Sequence, residues 1–184
     1  RSGESIDIQA LTAETLRPEW SESVVLDVIG SAEGSRNNAD YMRAAGSPAW
    51  PVFHVGEPWE LLDHYVKGWP KVGLSCRTGK SPTETLRFYS MCFARHWPHR
   101  YHSFGCLRES VLAQLPFHSA DASSWSYAAC AFRDMTHHGR RVKGLGKGVS
   151  VGAVDRYLEV EIEHVLNLQQ RLRAQWRSEL EKLP

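Results

Sequence analysis

The feature that most constrains this chain is a repeated alternation. Apolar runs four to seven residues long are separated by stretches with helical spacing. Residues 23–29 (SVVLDVI), 50–54 (WPVFH), 71–75 (KVGLS), 100–104 (RYHSF) and 117–120 (FHSA) read as strands. Between them, residues 37–45 read as a helix closed by Gly46, and residues 59–66 as a helix opened by Pro58 and stopped by Gly68 and Pro70. Ser81-Pro82-Thr83-Glu84 combines a cap, a proline at the first helical position and a glutamate three residues after the cap, so a helix is expected from there to about Trp97. Residues 107–114 read as a short helix. Residues 154–183 read as one long amphipathic helix with an apolar stripe of Val154, Leu158, Ile162, Val165, Leu168, Leu172 and Trp176.

Strands joined through helices must lie parallel, and parallel sheets are buried on both faces. The expected fold class is therefore α/β. The expected architecture is a (β/α)8 barrel, of which five or six units are visible. The opening units are expected upstream of Arg1, which reads as an internal position of a longer chain. A full barrel takes about 250 residues, and this chain has 184. The expected division is a barrel portion over residues 1–153 and a helix packed on it over residues 154–184. A hydrophobic share of 42% with 23% charged residues excludes a disordered chain. No apolar run reaches 18 residues, so no membrane span is expected, and the expected location is the cytoplasm. The net charge of +1 neither requires nor excludes nucleic acid, because a local basic patch is enough. Cys76, Cys92, Cys106 and Cys130 are at least 14 positions apart, which leaves no CxxC pair and points to free thiols.

The chemistry is concentrated where the strands end. The first strand supplies Asp27 and Gly30, the second His54 and Gly56, and the third Gly73 and Ser75. The fourth supplies His102, Ser103 and Gly105, and the fifth His118, Ser119 and Asp121. Carboxyl ends of strands build the sites of (β/α) folds. Asp121 follows an apolar run and precedes Ser123-Ser124-Trp125; Asp27 is the other carboxylate in a strand. Two carboxylates across one pocket suit glycosyl transfer, where one attacks the sugar, and suit metal binding equally. Gly56 and Gly73 either permit turns or let a planar ring approach the backbone. Residues 137–147 (HHGRRVKGLGK) read as a basic glycine-rich loop, in which Arg140, Arg141, Lys143 and Lys147 hold phosphates or simply face solvent.

Taken in order, VVLDVIG (24–30), Asn37-Asn38, PVFHVGEPWELLDHY (51–65), KVGLSC (71–76), YHSFGC (101–106) and PFHSADASSW (116–125) resemble the tRNA-guanine transglycosylase superfamily. The resemblance is closer to its DNA-modifying branch in phages and bacteria, the DNA 7-deazaguanine transglycosylases. It covers about residues 5–150. It implies a (β/α)8 barrel that replaces guanine in a polynucleotide with a 7-deazaguanine base, such as 7-cyano-7-deazaguanine, through a covalent enzyme–sugar intermediate. By position in the motifs, Asp121 matches the nucleophile and Asp27 the aspartate that reads the base edge. His54, Gly56, Gly73, Phe104 and Gly105 match the base-side strand ends. Trp125, Phe53 and Tyr101 are candidates for stacking on the base or for the core. The family's second catalytic aspartate falls in a motif before residue 1, and the cysteines do not supply the zinc site of the tRNA enzymes.

The reaction implied needs no cofactor. DNA is the expected polymer ahead of tRNA, with a second copy of the chain or accessory modification proteins as further partners. Two other readings compete. One is a metal-dependent barrel hydrolase with ligands among Asp27, His54, His102, His118, Asp121 and His137 or His138. The other is an inactive nucleic-acid-binding or scaffold protein.

Overall fold

The computed structural model of the chain describes residues 6–76, 81–122, 135–137, 140–142 and 151–183. The first element, α1 (Ile8–Thr15), was not legible in the sequence. Asp7 caps it by accepting from the Gln9 N–H, and the Thr15 hydroxyl bonds that of Ser47 at 2.7 Å, tying the helix to the turn before the second strand.

The centre is a run of parallel strands. β1 (Ser23–Val24) pairs with β2 (Ala49–Trp50). β3 (Val52–His54), β4 (Lys71–Ser75), β5 (Arg100–Phe104) and β6 (Ser119–Ala120) pair in chain order, each parallel to the next. Pro51 divides what the sequence presents as a single second strand: it has no N–H to give, although its carbonyl still accepts from Gly73 at 2.9 Å. The helices α2 (Ala32–Ala44), α3 (Trp59–Gly68), α4 (Pro82–His96) and α5 (Glu109–Leu112) occupy the connections. The result is a mixed α/β fold built on parallel sheets with several helices.

Strand β1 is much shorter than the seven residues its apolar run suggests. Val25 still donates to the Trp50 carbonyl, but beyond it the chain is held by a helix. The Asn38 side chain donates to the Leu26 carbonyl, and the Val28 N–H donates to the Ser35 hydroxyl. That helix, α2, also begins earlier than expected, because Ser31 caps it through the Gly34 N–H. Helix α4 carries the full capping box of Ser81 and Glu84. It ends at His96, with Trp97 as its cap ahead of Pro98.

One face of the sheet makes the core. Phe53, Val72, Leu74 and Tyr101 are fully buried there, against Leu62 and Tyr65 of α3, Phe88, Tyr89 and Phe93 of α4, and Val111 of α5. Of the three residues open to either a stacking or a core role, two belong to the core. The Phe53 ring lies on Phe88 at 5.9 Å and Tyr101 on Phe93 at 4.9 Å, under the helices and away from the strand-end site. Alternation along the strands put them there: they share their face with Val72 and Leu74. The third candidate, Trp125, lies outside the described residues.

Two further expectations are corrected in the last third. Residues 137–147 are not one loop: β7 (Met135–His137) and β8 (Arg140–Val142) pair antiparallel. The backbones of Arg140 and Arg141 therefore lie on a strand. Lys143 and Lys147 lie outside the described residues. The long helix is also divided. α6 (Val151–Gln175) ends at Trp176, whose φ of −100° and ψ of 10° break the spiral before α7 (Arg177–Leu180). Leu168 is buried, and with Val165, Leu172 and Trp176 it faces Leu112, Leu115 and Phe117 across a cleft of about 250 Å³. Ile162 of the expected stripe is exposed instead. The Gln175 side chain donates to the Ala113 carbonyl at 2.8 Å, and Arg171 pairs with Glu109 at 2.8 Å.

Candidate functional site

The other face of the sheet carries the polar residues, and register decides which of them meet. Val52, Gly73, His102 and Ser119 form one row across β3 to β6. His54, Ser75 and Phe104 form the row toward the carboxyl ends, and Lys71 with Arg100 the row toward the amino ends. Asp121 lies one step beyond β6, where its N–H still donates to the Ser103 carbonyl at 3.0 Å.

Two carboxylate–histidine pairs stand on this face. In the first, His54 Nε2 is 3.3 Å from Asp27 Oδ2 and His54 Nδ1 is 3.6 Å from Glu57 Oε2. Glu57 also accepts from the His54 backbone N–H at 2.6 Å, so a reverse turn through Gly56, at φ +93°, folds the glutamate back over the strand end. Glu57 foremost, then the Asp27 charge, raise the His54 imidazole above its ordinary range against the opposing effect of burial. Burial raises the Asp27 carboxyl, with Glu57 adding and His54 opposing. His54 thus lies between the two acidic side chains, and Asp27, held through Oδ2, keeps further acceptor capacity for a hydrogen-bond donor.

In the second pair, Asp121 Oδ1 accepts the Gly105 N–H at 2.9 Å and stands 3.6 Å from His102 Nε2. Gly105 adopts φ +65°, a conformation that turns its N–H toward the carboxylate and that an L side chain resists. The Asp121 side chain is 56% exposed, so it is fixed at one oxygen and open at the other side.

Aromatic rings floor this face. Trp50 and Phe104 lie 5.4 Å apart, and both reach His102, at 5.1 and 4.6 Å. Gly73 makes room for them: a Cβ there would stand 2.7 Å from Phe104 Cε2 and 2.9 Å from Trp50 Cζ3. The close approach of a ring at Gly73 is therefore to rings of the protein itself. Below them, Lys71 is buried, pairs with Glu22 and lies 4.2 Å over the Trp50 ring.

Of the residues expected at the site, Asp27, His54 and Gly56 come together on one side, and Asp121, Gly105 and Phe104 on the other. Gly73 lies in the floor between them. The side chains of Arg140 and Arg141 lie outside the described residues. Among the described residues, no group of three His, Cys, Asp or Glu side chains converges as metal ligands, and Cys76, Cys92 and Cys106 are free thiols. His118 is lowered by burial first and then by Arg100 and Lys71. No described helix is long and apolar enough to cross a membrane.

Sequence reasoning missed Lys71 with Glu22, and the part played by Glu57. The Lys71 pairing spans 49 positions, and nothing local announces it. Glu57 carried a signal: an acidic residue three positions after a strand-end histidine, with a glycine between, is the composition of a side chain folding back on the backbone. No protein-family model, curated protein or solved structure matches the chain.

Proposed function

We propose that this chain is the catalytic portion of a transglycosylase that exchanges guanine in a polynucleotide, DNA first, for a 7-deazaguanine base. The observation that carries the reading is the setting of Asp121: a strand-end carboxylate gripped at Oδ1 by the Gly105 N–H and otherwise open. A nucleophile needs that combination of orientation and access.

The sheet is read as a sector of a (β/α)8 barrel. Its strands follow chain order without the reversal found in doubly wound sheets. Asp27 follows β1 and Asp121 follows β6, four strand steps apart when β2 and β3 count as one strand interrupted at Pro51. In an eight-stranded barrel four steps are half the circuit, which sets the two carboxylates across the mouth from each other.

The target guanine swings out of its stack into the space between them. Asp27, backed by His54 and Glu57, accepts from the donors on the base edge. An Asp121 oxygen forms a bond to C1′ as the C1′–N9 bond breaks, and that electron pair leaves with guanine. The incoming base then attacks C1′ and expels the carboxylate. It gives up the ring proton that the released guanine gains, and two inversions retain the anomeric configuration. Arg140, Arg141, Lys143 and Lys147 are the candidate phosphate contacts. Neutralising Arg140 and Arg141 is expected to weaken DNA binding and flatten its dependence on salt.

The test is covalent capture. A labelled guanine-containing duplex incubated with the protein and denatured without quenching nucleophiles is expected to migrate with the protein chain. Asp121→Asn is expected to keep the fold and lose that band. A band of undiminished strength from Asp121→Asn would remove the assignment.

A further inference from the structure

We infer that His102 is a positioning residue, held by Ser119 as its Nε2–H tautomer and turned toward Asp121, so that Asp121 Oδ1 is tied and Oδ2 is the oxygen left to react. The consequence for reaction rests on the transglycosylase reading; the tautomer does not.

His102 is buried in the row that also holds Gly73 and Ser119, walled by the Trp50 and Phe104 rings. Its Nδ1 is 2.8 Å from the Ser119 hydroxyl oxygen. Its Nε2 is buried with no hydrogen-bond partner among the described residues, and Asp121 Oδ1 stands 3.6 Å from it. An ionised carboxylate has no proton to offer. A lone pair on Nε2 would therefore face negative charge inside the fold, whereas an N–H there faces an acceptor. That places the proton on Nε2, makes Nδ1 the acceptor and makes the Ser119 hydroxyl its donor.

The ring stays neutral in this arrangement. Burial lowers its imidazole below the ordinary range. Of the charged groups around it, Lys71 on β4 acts in the same direction, while Asp121 and Glu22 act against it.

Two donors thus address one oxygen of Asp121, the Gly105 N–H at 2.9 Å and the His102 Nε2–H from 3.6 Å. The second is longer than a hydrogen bond. Contacts of this kind tighten when substrate fills a site. Oδ1 then becomes the oxygen that orients, and Oδ2 the oxygen left to react. A misplacement of about 1 Å at a reacting group costs on the order of 100-fold in rate, which sets the scale for losing this alignment.

Two readouts on the full chain test the inference. The first is long-range nitrogen–proton NMR of the histidine rings, with His102 assigned by its loss in His102→Gln. His102 is expected to be neutral with its proton on Nε2 at neutral pH, and Ser119→Ala is expected to give a mixture of tautomers. A proton on Nδ1, or an imidazolium at neutral pH, would overturn the inference whatever the protein catalyses. The second is guanine exchange into duplex DNA. His102→Gln is expected to lower kcat by on the order of 100-fold with KM for guanine unchanged. Ser119→Ala, the milder substitution, is expected to lower kcat less and to move the acid limb of the pH profile. Exchange at the parent kcat and pH profile in both variants would overturn it. Absence of exchange by the full-length parent protein would instead refute the transglycosylase reading, and the NMR result alone would then decide the tautomer.

Discussion

Replacing Gly73 with alanine tests how the polar face of the sheet is filled. The Cβ would lie 2.7 and 2.8 Å from Phe104 Cε2 and Cδ2 and 2.9 Å from Trp50 Cζ3. Optimal carbon–carbon contacts are about 3.5–4.0 Å, so the Phe104 ring must retreat by about 0.8 Å or more and the Trp50 ring by about 0.6 Å or more. They cannot retreat freely, because both also lie against His102. Overfilling a packed site costs about 1–3 kcal/mol. The alanine returns about 0.4–1 kcal/mol by restricting the unfolded chain, since Gly73 has an ordinary φ. The net expectation is a loss centred on about 1.3 kcal/mol, within a span of about 0–2.6 kcal/mol. With a urea m-value of about 2 kcal/mol/M, the central value lowers the midpoint by about 0.65 M at unchanged m. Phe104→Leu removes the nearer ring and should absorb part of the strain. The double variant is expected to be more stable than the sum of the singles by at least about 0.5 kcal/mol. A Gly73→Ala protein as stable as the parent, with additive behaviour in the double variant, would show that the two rings do not rest on Gly73.

Three further perturbations probe other parts of the account. Ser81→Ala removes the cap of α4 and should cost about 1 kcal/mol in chemical denaturation, while an unchanged midpoint would refute the capping role. Leu168→Ala should cost about 2–5 kcal/mol and expose α6 to limited proteolysis; unchanged cleavage would mean that the helix is not docked through that residue. His99 is buried with Nε2 unpartnered among the described residues, and burial lowers its imidazole from 6.5 to about 4. The folded chain therefore binds this proton less readily than the unfolded chain. Stability from this group is complete above about pH 6.5 and falls as pH drops toward 4, by up to about 3 kcal/mol. His99→Gln should flatten the stability profile in that window, and an unchanged slope there would refute the assignment.

How much of this could be read from the sequence follows from where each interaction lies. Strands β4 and β5 were legible to the residue, because proline or glycine bounds compact apolar runs and both neighbouring strands pair with them. The start of α4 was legible because its cap is written in four consecutive residues. The first strand was overestimated because the hydrogen bonds of Leu26 and Val28 go to Asn38 and Ser35, polar side chains of the following helix. The break at Trp176 left no mark in the apolar spacing of the stripe. At the site, Asp27, His54 and Asp121 were legible as polar endings of strands. Which carboxylate meets which histidine was not, because that depends on the register of strands distant in sequence. The Ser119–His102 bond joins residues 17 positions apart, and only the pairing of β5 with β6 brings them together.

We propose that this sheet face exchanges a base through Asp121. The most direct test is incorporation of radiolabelled guanine into double-stranded DNA and, separately, into tRNA, with chase by 7-cyano-7-deazaguanine, for the full-length protein and its Asp121→Asn variant. The account predicts label entering DNA, displaced by the 7-deazaguanine base and absent with Asp121→Asn. Entry into tRNA alone would keep the chemistry and overturn the choice of polymer. No incorporation into either by the folded protein would contradict the account.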